Sequence, residues 1–212
     1  MKLSRFFSGL FLCFGLGLMF LAICLVMGQP GTQPTLVGSS QEPQNQVVAA
    51  MDAICQGDFS GAEQYLLGQP SLGVDRELQD PAAAMIWKAF VESLSYELSG
   101  DCYATDTGVA QDITLKCLDI SSVTANLAQR SEKHLARLQQ SATHTYEVYD
   151  ENGNFRQDVV QQVLSTVVQE ALQEDAQYVT KDVTLNLVYH QQRWWVMADQ
   201  TLLRVISGGT AG

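Results

Sequence analysis

Hydrophobic and polar positions alternate most regularly near the C-terminal end of the chain. Val183, Leu185, Leu187 and Tyr189 recur at every second position with polar residues between them, the period of a strand with one buried face. A turn at Gln191-Gln192 pairs Tyr189 with Trp194 and Leu187 with Val196 on that face, and sets Trp195 opposite Val188 on the other. A hairpin that is apolar on both faces needs cover from elsewhere, and helical spacing supplies it. Val47, Val48, Met51, Ile54 and Cys55 form one stripe over residues 47–56, closed by Gly57, and Cys55 in that stripe reads as a buried thiol. Ser60 and Glu63 are spaced as a capping box for a short second helix that carries Tyr65, Leu66 and Leu67. Asp80-Pro81 opens a third helix after a loop, with Ala83, Ile86, Trp87, Phe90, Val91 and Leu94 as an apolar face suited to lie on a sheet.

Residues 95–104 and 111–120 read as two more strands, from the alternation of Tyr96, Leu98, Cys102 and Ala104 and of Ile113, Leu115 and Cys117. Cys102 and Cys117 fall on these two strands, where either a cross-strand disulfide or two small apolar side chains on one face would fit. A polar helix capped by Ser121-Ser122 runs to about Ala142, striped by Leu127, Leu135 and Leu138. A connection over 143–154 turns at Asn152-Gly153, and its Tyr146, Val148 and Tyr149 could cover a sheet edge. A helix over 158–176 and the C-terminal hairpin follow, then a last turn capped by Asp199 and carrying Leu202, Leu203 and Ile206. Helices, hairpin, helices, hairpin is an α+β order, an antiparallel sheet with helices on one face, in one domain over residues 47–207 with a short tail at 208–212.

Charge separates the N-terminal part from this domain. Phe6 to Met27 is 22 residues without a charge, long enough for a transmembrane helix, and Lys2 and Arg5 precede it in the short segment 1–5. The next basic residue is Arg76, so the positive-inside rule places residues 1–5 in the cytoplasm and the rest of the chain outside. The span reads as an uncleaved signal anchor of a single-pass cell-membrane protein. Cleavage near Val26-Met27-Gly28 would secrete the domain instead, and Leu21-Ala22-Ile23-Cys24 approximates a lipoprotein box with an oversized Ile23. Residues 28–46, rich in Pro, Gly, Ser and Gln, read as a flexible stalk. Beyond residue 28 lie all 23 acidic and 10 of the 12 basic residues, so 10 minus 23 leaves a net charge of −13. That balance opposes nucleic-acid and anionic-lipid binding, and suits an acidic surface kept soluble outside the cell.

Candidate chemistry is sparse. The sequence holds no Gly-x-Ser-x-Gly, no phosphate-cradling glycine loop and no His-Glu-x-x-His, so no enzymatic activity and no cofactor is expected. With no Cys-x-x-Cys and three histidines, no metal site is expected either. Trp87, Phe90, Tyr96, Trp194 and Trp195 are the residue set that could line an apolar-ligand pocket, or could simply be helix-on-sheet core.

Gly57-Asp58-Phe59-Ser60-Gly61-Ala62 after an amphipathic helix, and Arg193-Trp194-Trp195-Val196 followed by Asp199, Leu202 and Leu203, resemble the opening step and closing strand of the nuclear-transport-factor-2-like, or cystatin-like, superfamily. The resemblance covers roughly residues 47–207. It implies a curved sheet wrapped on helices as a cone, sometimes with a pocket, in small membrane-anchored extracytoplasmic bacterial proteins. The expected function is a non-enzymatic, membrane-tethered module that contacts an envelope protein partner. The alternative is a small apolar-ligand binder, or an isomerase-like enzyme using an Asp or His in the cone.

Overall fold

The computed structural model describes residues 41–68, 78 and 80–206. The expected membrane span, the stalk up to residue 40 and the C-terminal tail lie outside those residues. Among the described residues, no helix is long and apolar enough to cross a membrane. The protein is α+β, with a five-stranded mixed sheet packed on helices.

The described residues form two compact units, 41–68, 92–117 and 180–206 in one, and 78, 80–91 and 118–179 in the other. In the first unit, helix α1 (Gln41–Cys55) starts six residues before the apolar stripe that announces it, taking in Gln41 to Gln46, which the composition assigns to the stalk. Gly57, at φ 75°, takes the left-handed conformation that ends α1. Helix α2 (Phe59–Glu63) follows at once. Its cap is Asp58, not Ser60: Asp58 Oδ1 accepts the Gly61 N–H at 2.8 Å, while Phe59 and Ala62 are buried.

Leu66 and Leu67, expected to finish that helix, instead form strand β1, which pairs in parallel with strand β5 (Arg193–Met197). The sheet is therefore mixed rather than purely antiparallel. Its order is β1-β5-β4-β3-β2, where β2 is Ser95–Thr105, β3 is Gly108–Leu118 and β4 is Tyr178–His190. The β4–β5 register is the one the alternation predicts, Leu187 with Val196, Val188 with Trp195 and Tyr189 with Trp194. Gln191 and Gln192 form the turn, both at positive φ, 51° and 64°. Val183, Leu185, Leu187 and Val196 are buried, as are Val47, Ala50, Met51 and Ile54 of α1, which packs on β2 and β5. Each of the Val, Leu, Ile and Met side chains among them contributes about 1.5–3 kcal/mol by leaving water.

The β2–β3 hairpin departs from expectation. Thr105 pairs with Gly108, so the turn is Asp106-Thr107, and a register shift between Ser99 and Tyr103 marks a bulge around Gly100, at φ 74°. Helix α7, at Gln200–Ile206 after β5, is capped as predicted, Asp199 Oδ1 accepting the N–H groups of Thr201 and Leu202 at 2.9 and 3.0 Å.

The second unit holds most of helix α3 (Pro81–Ser93), whose Asp80 cap accepts the Ala83 N–H at 2.9 Å. The polar helix expected over 121–142 is two helices, α4 (Ile120–Thr124) and α5 (Leu127–Ser141), and Asp119 rather than Ser121 caps the first. A 3₁₀ turn (Thr145–Glu147) precedes helix α6 (Gln157–Glu174), which buries Val163, Leu164, Val167, Val168 and Ala171. Helices α5 and α6 pack together, pinned by Arg130, which reaches Glu174 at 2.7 Å and Asp175 at 2.8 Å, and by His134, 3.1 Å from Glu170.

Candidate functional site

The five aromatic residues that could line a pocket have separate partners. Trp87 and Phe90 stack in α3 with ring centroids 5.5 Å apart, and Phe90 is fully buried. Tyr96, in β2, donates its hydroxyl to Asp52 Oδ1 on α1 at 2.8 Å. Trp194 meets the edge of Tyr189 at 5.3 Å. Trp195 is half-buried, with the Arg193 guanidinium 3.4 Å from its ring centre and its Nε1–H donating to the His190 carbonyl at 3.0 Å. Arg193 also donates to the Gln64 carbonyl at 2.9 Å, so the indole face it covers is held shut by a tethered cation.

The cysteines do not form the cross-strand disulfide. Cys55, Cys102 and Cys117 all remain thiols. With the turn at 106–107, Cys102 lies against Gln111 rather than Cys117, and its Sγ–H donates to Gln111 Oε1 at 3.1 Å. Gln111 is fully buried on the helix side of the sheet, and its amide nitrogen donates to the carbonyls of Gly100 and Asp112 at 3.1 and 2.8 Å. It therefore satisfies the backbone that the bulge leaves open. Burial, then the nearby Asp101, raises the Cys102 thiol. Cys55 is half-buried rather than buried, and burial, then Asp52, pushes it up to about 11. Both are poor nucleophiles at neutral pH.

The far face of the sheet in the first unit carries a hydroxyl and carboxylate lattice. Asp112 Oδ1 accepts from Thr184 at 2.6 Å and from Tyr103 at 3.2 Å, while Asp182 Oδ1 accepts from Thr114 at 3.0 Å. The two cross-strand links, 112 with 184 and 114 with 182, run in opposite senses, as antiparallel neighbours require. Asp112 is thus engaged as a structural acceptor. Asp101 is exposed at the bulge and His190 at the hairpin tip.

A concavity lies in the second unit, in the segment before α6. It is open, about 510 Å³, and lined by Thr145, Tyr146, Tyr149, Asp150, Glu151 and Arg156. None of the five expected pocket aromatics contributes to it. Tyr146 is 67% exposed, the most exposed large hydrophobic side chain among the described residues, and it stacks on His144 at 5.1 Å. Tyr149 stacks on Phe155 at 4.8 Å, and the two residues form an isolated antiparallel bridge. Gly153, at φ 75°, makes the turn between them.

Charge braces this segment. Asp150 Oδ1 accepts the N–H groups of Asn152 and Asn154 at 2.9 and 2.8 Å, and these bonds, led by that from Asn154, hold its carboxyl below the usual range. Arg156 is bidentate to Asp158 at 2.7 and 3.1 Å, which holds the Asp158 carboxyl low, and it also donates to the Tyr146 carbonyl at 3.2 Å. The one cation in the lining is therefore neutralised, while Asp150 and Glu151 leave its rim negative. In the sequence the sign of this site is two tyrosines beside an Asn-Gly turn, which periodicity reads only as cover for a sheet edge.

Among the described residues, no group of three or more His, Cys, Asp or Glu side chains is placed to hold a metal ion. Comparison with protein-family models, curated proteins and solved structures finds no match to this chain. The fold and site define an α+β protein with a braced, aromatic, acid-rimmed surface loop.

Proposed function

We propose that the chain is a membrane-tethered, extracytoplasmic interaction module that binds a protein partner and has no enzymatic role. The observation that carries this reading is the exposed Tyr146 at the mouth of a concavity whose backbone is fixed on both sides. Aromatic side chains held in place lose little entropy on binding and dominate the energetics of protein interfaces. The apolar 6–27 span and the −13 charge beyond it support the placement. In this reading the sheet and α1 belong to a cystatin-like cone. The local fit of Gly57, Asp58, Phe59 and Ala62 to their roles as helix stop, cap and buried anchors supports that relation.

The test is a photo-crosslinking amino acid at position 146 of the full-length protein in intact cells, with position 97 on β2 as control. A discrete, light-dependent protein adduct from 146 and not from 97 is expected. No adduct from 146 would overturn the reading.

A further inference from the structure

The concavity before α6 has a chemistry that narrows its occupant. Tyr146 and Tyr149 line it together with the acidic Asp150 and Glu151. Glu147 adds a third carboxylate in the same segment, braced by the Thr143 N–H at 3.1 Å. Its single cation, Arg156, is spent on Asp158 and on the Tyr146 carbonyl. Aromatic faces beside uncompensated carboxylates attract ammonium and guanidinium groups, through the ring quadrupole and through direct charge. An anionic ligand would be repelled by the same carboxylates, and a purely apolar one would cover them without meeting their charge. The whole chain adds to this, since its net charge of −11 steers cationic partners toward it.

The openness of the site decides how the cation arrives. Small-molecule sites enclose about 70–90% of their ligand. Here one wall, Tyr146, is itself 67% exposed, so a free amine would stay largely in water. A side chain delivered by a polypeptide draws further binding energy from contacts outside the concavity. We propose that the concavity between the 3₁₀ turn at Thr145–Glu147 and α6 docks a lysine or arginine side chain presented by an extended segment of the partner protein. This rests on the interaction-module reading and names the chemistry of the partner.

The experiment uses the full-length protein in detergent micelles and a fluorescent acetyl-Gly-Arg-Gly-Arg-Gly-amide probe, read by anisotropy. The Arg probe is expected to bind, and to bind more weakly as salt rises, because screening shortens the reach of the carboxylates. A Glu-for-Arg version of the probe is expected not to bind. Tyr146→Leu keeps the apolar surface and removes the ring face, and Glu151→Gln removes one rim charge. Each is expected to weaken binding about threefold, the size of an exposed cation–π or ion-pair contribution. Glu97→Gln, on β2, is expected to leave it unchanged. Equal binding of the Arg and Glu probes, absence of Arg-probe binding, or indifference to both Tyr146→Leu and Glu151→Gln would overturn the proposal. So would free arginine amide competing as well as the peptide, which would make the concavity a small-cation site. An adduct from position 146 in cells without any preference for the Arg probe defeats this inference alone. Probe binding without an adduct defeats the module reading alone.

Discussion

The Cys102 thiol donates to Gln111 Oε1 across 3.1 Å at a bulge in the β2–β3 hairpin, and the Gln111 amide nitrogen turns the other way to reach the Gly100 carbonyl. One buried glutamine side chain thereby fills the hydrogen-bonding needs of a thiol and of the backbone that the two extra residues of the bulge displace. Replacing Gln111 with Leu keeps the volume but takes the acceptor from the buried Cys102 thiol and leaves the Gly100 carbonyl only the longer bond from Gln44 Nε2, at 3.5 Å. That change is expected to cost about 1–3 kcal/mol in urea unfolding, whereas Cys102→Ser, which keeps a donor, costs less. Mild oxidation of the native protein followed by peptide mapping is expected to yield no Cys102–Cys117 bond. Finding that bond would refute the register.

Alkaline pH weakens the join between β2 and α1. Burial, then the hydrogen bond to Asp52, raises Tyr96 above its ordinary value of 10.0, and Cys55 moves from 9.0 to about 11. Both groups are neutral when protonated and have higher pKa values folded than unfolded. Their stabilising contribution is therefore complete below pH 9 and is lost as pH rises, for Cys55 between 9 and about 11 and for Tyr96 from 10 upward. Unfolding midpoints measured from pH 8 to 11 should fall along this window, and Tyr96→Phe should flatten the fall while lowering neutral-pH stability by about 1 kcal/mol. By the thiolate fraction alone, native Cys55 should alkylate about a hundredfold more slowly at pH 8 than in the unfolded chain.

Gly108 opens β3 against the backbone of β4. A Cβ at that position would collide with the Leu187 carbonyl oxygen, which belongs to a strand and cannot swing away. Gly108→Ala is expected to destabilise by about 1–3 kcal/mol, as overpacking does. Gly153, whose positive φ is its only constraint, should lose about 1–2 kcal/mol on the same change.

The tip of the β4–β5 hairpin is strained. Gln191 and Gln192 both sit at positive φ, as a tight two-residue turn demands, but neither is a residue that favours it. The double change Gln191→Asn and Gln192→Gly is expected to raise thermal stability by about 1–2 kcal/mol. A drop instead would mean that these side chains make contacts that outweigh the strain.

Ser131 on α5 is buried, and its Oγ has no hydrogen-bond partner. Ser131→Ala removes that unmet need and should leave stability unchanged or improve it by up to about 1 kcal/mol, measured by chemical denaturation.

The parts legible in the sequence are those set by local patterns. The alternation from Val183 to Val196 fixes both the strand pairing and its register, because a one-residue slip would expose Leu187 and Val196. Asp80 and Asp199 announce their helices by short-range capping, and the structure agrees. Long-range pairing is harder to see. Leu66 and Leu67 carry no strand pattern of their own, and only the distant edge of β5 makes them a strand. The β2–β3 turn at Asp106-Thr107 is not marked in the pattern, because Gly108, Val109 and Ala110, which open β3, read as loop residues. Tyr146 and Tyr149 belong to no periodic element, so nothing in the hydrophobic pattern marks the concavity they line.

The placement of β1 beside β5 has a consequence for synthesis. Gln64 accepts its hydrogen bond from Arg193, 129 positions later, and Tyr65 from the N–H of Val196. Among the described residues, the first strand to leave the ribosome therefore waits for the last one before its edge of the sheet can close. A product cut short before Trp194 leaves α1 and β1 without β5, and the apolar side of α1 that β5 covers stays open to quality-control proteases. Closure of this edge of the sheet depends on residues 193–197 being present.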